Sequence, residues 1–308
     1  MFTDLVRGAD VLVENFRAGV LGRLGFDADR LRAINPRLVY CAITGFGQTG
    51  PSSQAPAYDQ IIQGLSGMMS VTGTEDTAPL RVGFPVCDTI GGLMAALSIT
   101  SALAGRERTG QGCFLDLSML EASVSAMGWT VSHHVIGGVT PVPAGRQNAT
   151  AAPSGTFETA DGLLNIAANR QSQFETLCRL LGREDLTTDP RFAEREARQR
   201  NRDALDTELT GALRTRPARE WERLLPEAGV PAARVLSVPE AVESGQLAHR
   251  RFFTDVPFPG DATRVVRTCG NGVLVDGQPL APTGPAPVLG EHNDQVADLV
   301  TRWTGAGR

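Results

Sequence analysis

The sequence predicts an α/β protein: an open, parallel sheet in residues 1–136, followed by a smaller α+β domain. Three observations carry that prediction. Residues 9–15 (ADVLVEN) and 38–43 (LVYCAI) are apolar runs without alternation, as expected of parallel strands covered on both faces. Each run enters a turn and then a helix: Asn15-Phe16-Arg17-Ala18-Gly19 follows the first, and residues 44–51 (TGFGQTGP) follow the second. Strands alternating with helices and glycine turns make a sheet whose ligands sit beyond the strands' carboxyl ends. Residues 137–155 (GGVTPVPAGRQNATAAPSG) lack periodicity and are rich in Gly, Pro, Ala and Thr, which marks a linker.

Taken in order, residues 3–7 give two turns of helix, and residues 20–24 a short helix bearing Arg23. Asp27 caps a helix over 28–35, which Pro36 stops. Tyr58-Asp59-Gln60-Ile61 opens a helix that runs to Met69. The stretch 81–118 (RVGFPVCDTIGGLMAALSITSALAGRERTGQGCFLDLS) then reads as a loop ending on Asp88, a helix, a basic glycine turn and a strand. Leu93, Ala96, Leu97, Thr100 and Leu103 recur at i, i+3, i+4 spacing and predict a helix. Gly91 and Gly92 each cost about 1 kcal/mol of helix propensity relative to Ala, a cost that makes sense where something approaches the backbone closely. Taken alone, Asp88 reads as an N-cap.

Composition narrows the function classes. The 308 residues carry a net charge of −5, with 42% hydrophobic and 20% charged residues, and the pI is 5.5. Such a balance recommends no nucleic acid and no anionic membrane as partner. No apolar run approaches the roughly 18 residues of a membrane span, and the first residues lack the basic and apolar regions of a signal peptide. The five cysteines (Cys41, Cys87, Cys113, Cys178, Cys269) have no CxxC spacing, which predicts reduced thiols and a cytoplasmic location. No metal-ligand cluster is present. His133 and His134 are adjacent on a helix read over 119–135, so they face different sides and read as structural. Cys87 has no basic neighbour in sequence to activate it.

Asp88-x-x-x-Gly92 with its Ala/Leu-rich helix, then residues 104–112 (AGRERTGQG) and Leu115-Asp116-Leu117-Ser118, resemble the class III CoA-transferases, the carnitine and formyl-CoA transferase family. Residues 9–26 (ADVLVENFRAGVLGRLGF) and 35–51 (NPRLVYCAITGFGQTGP) resemble the same family. The resemblance implies a Rossmann-like large domain, Asp88 as catalytic nucleophile, and coenzyme A contacts at Asn15, Phe16, Arg17, Arg23, Thr44, Gly45 and Phe46. Those residue types suit the ligand: arginines fork onto phosphates and glycine turns bring backbone N–H groups to anions. It implies no cofactor beyond the CoA thioester substrate, a small carboxylic acid as second substrate, and a homodimer of two interlocked rings. The glycine run of the formyl-CoA transferase subgroup is absent. Acyl-CoA racemases on the same scaffold resemble GHDxNY where this chain has Ala57-Tyr58-Asp59; lacking the histidine, the chain favours transfer over α-proton exchange. A racemase, and a catalytically silent relative, remain the alternatives.

The second half is read as linker 137–154, small domain 155–253, return linker 254–284, and a segment 285–308 that rejoins the large domain. A hairpin turns at Asp161-Gly162. Helices follow over 171–181, 190–198, 202–214 and 217–228, and the basic run 191–202 reads as a solvated helix face. His292 closes a loop at a helix start. Relatives begin with a further βαβ stretch of roughly 30 residues or more, and the sequence as given starts partway through that domain. The expectation is an apolar exposed edge at residues 11–14, with poor solubility or weak CoA binding of this chain alone.

The implied chemistry starts from an ionised aspartate, normally of pKa about 3.9. It attacks the acyl-CoA thioester, and an aspartyl-CoA thioester follows. Backbone donors at Gly91, Gly92, Gly45 or Gly47 are the candidates for the developing oxyanion, and hydrogen bonds are expected to keep Asp88 charged.

Overall fold

A computed structural model describes residues 1–282 and 284–305. The chain divides into two compact units, Arg146–Asn293 and the remainder on either side of it.

The first unit runs α1 (Phe2–Gly8), β1 (Val11–Glu14), α2 (Val20–Arg23), α3 (Ala28–Ile34), β2 (Val39–Thr44), α4 (Asp59–Leu65), α5 (Val86–Thr109), β3 (Cys113–Ser118), α6 (Met119–Ala126) and α7 (Trp129–Gly137). Its strands form a parallel sheet in the order β1-β2-β3, with Val11 opposite Val39 and Val39 opposite Cys113. The central strand β2 is buried almost throughout, which is why its sequence is apolar without alternation. β1 forms one edge among the described strands, and Val13 on it is half exposed. Asp27 caps α3, accepting the Arg30 N–H at 2.8 Å. At the other end Asn35 Nδ2 donates to Val6 O at 3.0 Å and Ala9 O at 2.9 Å, tying α3 to the α1–β1 junction.

The helix α5 forms where the spacing of apolar residues predicts it. It buries Cys87, Gly91, Ala95 and Arg106, whereas Leu93 and Leu97 are 66% and 60% exposed. Both faces of α5 are apolar, so helical spacing of leucines cannot select one. Small residues win the inner face because the helix lies close to its neighbours: a Cβ on Gly91 would stand 3.3 Å from Met119 Cγ. Arg106 pins the far end, donating to Asp10 O (3.3 Å), Arg37 O (3.0 Å) and Asp10 Oδ1 (3.0 Å). At 24 residues α5 is long and apolar enough, by length and composition, to cross a membrane, contrary to the sequence expectation. It packs on β2, β3, α4 and α6, as a helix covering a sheet does. The helix expected over 119–135 is broken into α6 and α7 at Gly128, whose φ of 51° lies in the left-handed region.

The second unit runs β4 (Ser154–Glu158), β5 (Leu163–Ala167), α8 (Gln171–Leu181), α9 (Arg195–Arg200), α10 (Arg202–Leu213), α11 (Ala218–Glu227), β6 (Ala232–Arg234), α12 (Val238–Val242), α13 (Gly245–His249), β7 (Phe253–Phe258), β8 (Asp261–Cys269), β9 (Leu274–Val275) and β10 (Gln278–Pro279). The antiparallel sheet β4-β5-β6 joins α8, α10 and α11 around Phe157, Leu164, Phe174, Leu177 and Trp221. The β4–β5 hairpin closes at Glu158 opposite Leu163, leaving a four-residue loop rather than a two-residue Asp-Gly turn. Asp161 is drawn off to cap another helix, accepting the Ala218 N–H at 2.8 Å. Nor is the basic run a solvated face throughout. Arg198 is 1% exposed and donates to Ala152 O (3.1 Å), Phe192 O (2.9 Å) and Ala193 O (3.1 Å). The stretch 254–284, read as a linker, carries most of the antiparallel pair β7–β8 and the short pair β9–β10. A last helix, α14 (Asn293–Gly305), belongs to the first unit from Asp294 onward, with Trp303 against Gly8.

Candidate active site

The carboxyl ends of β1 and β2 are laced together by side chains on the turns that follow them. Glu14, the last residue of β1, accepts the Phe16 N–H at 2.5 Å and the Tyr40 hydroxyl at 3.1 Å. Burial, reinforced by Glu14, pushes the Tyr40 phenol well above its ordinary pKa, so it stays a donor. Asn15 Nδ2 donates to Ile43 O at 2.6 Å, and Gln48 Oε1 accepts the Gly19 N–H at 3.2 Å. Asp116 on β3 accepts the Gln48 N–H at 3.0 Å through both oxygens. The turn after β1 and the loop after β2 are therefore one hydrogen-bonded surface.

The residues implied as CoA contacts divide into two kinds on this surface. Asn15, Phe16, Arg17 and Arg23 are exposed. Arg23 reaches back over the turn, its Nη1 3.3 Å from where a Cβ on Gly19 would stand. Thr44 ends β2, and Gly45 and Phe46 open the loop that follows it. Thr44 is buried and its Oγ1 accepts the Gly47 N–H at 2.8 Å. A Cβ on Gly45 would stand 2.4 Å from Ala57 Cβ, so the missing side chain makes room for Ala57. Phe46 packs against the cluster of Ile62, Met68, Cys87 and Met119. Through Cys87 that cluster also seats the first turn of α5, and with it Asp88.

Asp88 is the third residue of α5 and does not cap it. Pro85 precedes the helix without a side-chain acceptor, and Asp59 on α4 takes over that role. Its Oδ1 accepts the Cys87 N–H at 2.7 Å and the Asp88 N–H at 3.2 Å. Asp59 Oδ2 in turn accepts from Gln63 Nε2 at 2.6 Å. The Asp88 carboxyl itself faces solvent. Neighbouring atoms desolvate one side of it and raise its pKa above the usual carboxylate value, with the negative charge of Asp59 adding to the shift. Among the described residues no donor bonds this carboxylate, so the hydrogen bonds expected to keep it charged are replaced by exposure to water. Cys87 is fully buried, and burial pushes its thiol up, away from nucleophilic use.

Three of the four glycines considered as oxyanion donors are removed by their surroundings. Gly47 N–H is bound to Thr44 Oγ1. Gly91 and Gly92 lie beyond the first turn of α5, where N–H groups point to carbonyls four residues back. Tyr58 is exposed ahead of α4, and His133 and His134 are exposed on α7, where His133 meets Trp129 edge to face. Among the described residues no cluster of His, Cys, Asp and Glu has the makings of a metal site. The sequence reading missed Asp59, Gln63, Glu14, Gln48 and Asp116 as parts of the site. The i, i+4 spacing of Asp59 and Gln63 was the available signal.

Comparison with known proteins identifies the family. The family model described as CoA-transferase family III matches residues 1–293. The acetyl-CoA:oxalate CoA-transferase of Acetobacter aceti is 40% identical over 269 residues, covering 86% of this chain and 69% of that protein. The succinate–glutarate CoA-transferase of Agrobacterium fabrum is 35% identical over 303 residues, covering 96% and 74%. Among solved structures, a CAIB/BAIF family protein from Brucella suis superposes with a TM-score of 0.83 at 32% identity, covering 97% of this chain and 77% of that one. With a family match of this extent and relatives named for one class of reaction, the chain belongs to CoA-transferase family III and is a CoA-transferase.

Proposed function

We propose that the enzyme moves coenzyme A from an acyl-CoA to a free carboxylate through an aspartyl-CoA thioester on Asp88. The observation that carries the reading is a solvent-facing carboxylate on the first turn of a helix whose seat, Cys87, is shared with the loop after β2. An exposed aspartate is ionised near neutral pH and needs no base to become a nucleophile. Its oxygen attacks the thioester carbonyl, the C–S bond breaks, and a mixed anhydride and CoA thiolate result. The thiolate attacks the aspartyl carbonyl, and the donor leaves as its carboxylate. An acceptor carboxylate then attacks the aspartyl-CoA thioester, again releasing thiolate. That thiolate attacks the acceptor's acyl carbon, giving the new acyl-CoA and free Asp88. No electron leaves the system and no proton is required overall, so the two substrates supply everything.

The exposed Arg17 and Arg23 suit the phosphates of CoA, with Asn15 and Phe16 beside them, while Thr44, Gly45 and Phe46 shape the loop. Short dicarboxylates head the acceptors to try, since oxalate and glutarate appear in the names of relatives. The family resemblance supports an interlocked homodimer, and the free cysteines among the described residues support a reducing, cytoplasmic setting.

The test is incubation of the protein with acetyl-CoA or succinyl-CoA and a panel of acids, with thioester products read by mass. Hydroxylamine added during turnover is expected to trap and inactivate the wild type at Asp88. Asp88→Asn is expected to stay folded and lose transfer. Substantial transfer by Asp88→Asn would overturn the reading.

A further inference from the structure

We propose that Asp59, held by Gln63, is the positioning residue that sets Asp88 and the loop leading to it; the proposal rests on Asp88 as the nucleophile. A helix start leaves backbone N–H groups without intrahelical partners, and the residue just before the helix normally supplies the cap. At α5 the Val86 N–H goes to Phe84 O (2.8 Å) and the Thr89 N–H to Pro85 O (3.0 Å). The two between them, on Cys87 and Asp88, both go to the single oxygen Asp59 Oδ1. The backbone of the reacting residue thus hangs on a side chain 29 positions earlier in the chain.

Gln63 makes that anchor rigid. It is 0% exposed, and both ends of its carboxamide are used. Nε2 donates to Asp59 Oδ2 (2.6 Å) and Phe84 O (3.4 Å), and Oε1 accepts the Val82 N–H (2.9 Å). Residues 82, 84, 87 and 88 are therefore fixed by two side chains one turn apart on α4. The donors around Asp59 face a carboxylate, since amide N–H groups and a carboxamide NH2 all point at its oxygens. The negative charge of Asp59 also adds, after desolvation, to the raised pKa of the Asp88 carboxyl. It thus acts on the nucleophile both through the backbone and through space.

The single variant Asp59→Asn keeps an acceptor oxygen for the two amides but turns an NH2 toward Gln63 Nε2. In wild type, acetyl-CoA with borohydride or hydroxylamine trapping reports aspartyl-CoA formation; no trapped adduct there would refute the nucleophile reading itself, separately from this proposal. With trapping established, Asp59→Asn is expected to slow adduct formation by about 10- to 100-fold, with KM for acetyl-CoA little changed. Its acid limb in kcat/KM is expected to move to lower pH, because the neighbouring negative charge is gone. Gln63→Leu removes the donor to Asp59 Oδ2 and Phe84 O and is expected to slow adduct formation as well. Wild-type rate and an unmoved acid limb in Asp59→Asn would overturn the proposal, and wild-type rate in Gln63→Leu would remove Gln63 from it. Hydrogen exchange of unmodified protein adds a reading that no misfolded variant can obscure. The Cys87 and Asp88 amides are expected to be protected, unlike ordinary first-turn amides, and exchange at open-chain rates would overturn the proposal.

Discussion

Asp59 Oδ1 accepts the N–H groups of both Cys87 (2.7 Å) and Asp88 (3.2 Å), so a carboxylate on α4 caps the helix that carries Asp88. Two negative groups are thereby brought into one neighbourhood. The arrangement is tolerable because Asp59 is surrounded by donors while Asp88 faces water. It also leaves Asp88 easier to protonate than a free aspartate, first through desolvation and then through Asp59.

The acid limb of activity is expected to follow from that. The attack proposed for Asp88 requires its carboxylate, and the folded pKa of Asp88 lies above its ordinary value. Activity should therefore fall, as pH drops, at a higher pH than the roughly 3.9 of a free aspartate. For stability the sign is opposite: a raised pKa favours the protonated folded form, so the ionised group costs stability at neutral pH. Asp88→Asn is expected to melt no earlier than wild type at pH 7. A kcat/KM profile and parallel melting curves check both, and an acid limb at or below the free value would contradict the first.

Gly45→Ala is expected to destabilise the first unit by about 1–3 kcal/mol, as overpacking does, because its Cβ would stand 2.4 Å from Ala57 Cβ. Adding Ala57→Gly should restore most of the loss. Urea melts of the single and double variants measure it. A neutral Gly45→Ala would mean that the loop after β2 yields easily.

Arg198→Met is expected to cost more than about 2 kcal/mol in the second unit. The change leaves Ala152 O, Phe192 O and Ala193 O without the guanidinium donors, and a buried acceptor left unmade costs about 1–3 kcal/mol. It also removes the guanidinium 4.2 Å from the Phe174 ring centroid. A melting transition unchanged from wild type would contradict this.

Asp206 supplies a pH test away from the site. Burial raises its pKa to about 6, with Arg202 opposing, and it accepts from Gln147 Nε2. Its folded pKa exceeds its unfolded one, so the stability it contributes is present below about pH 4 and lost as pH rises through about 6. Asp206→Asn is expected to gain on wild type in melting temperature as pH goes from 4 to 7. The new NH2 can also meet Gln147 Oε1, which is buried without a partner among the described residues. A constant difference across that range would refute the assignment.

The sequence by itself determined the elements whose cause is local. Unbroken apolar runs marked β1 and β2, Asp27 announced the start of α3, and residues 171–181 showed the apolar face of α8. The motif around Asp88 sufficed for the family, because it is a pattern of residue types in order. Tertiary structure decided what depends on partners distant in the chain. Leu93 and Leu97 had the spacing of a helix, yet α5 turns Gly91 and Ala95 inward, since a helix apolar all round is oriented only by what packs on it. Asp88 had the position of a cap, but the cap came from Asp59, and local preference cannot foresee an acceptor from another helix. Gly45 was read for its backbone alone, and the structure adds a second demand on it, since its missing side chain admits Ala57. Periodicity and capping act within a turn or two of chain, whereas close approach and shared hydrogen bonds exist only once α4, α5 and the sheet have come together.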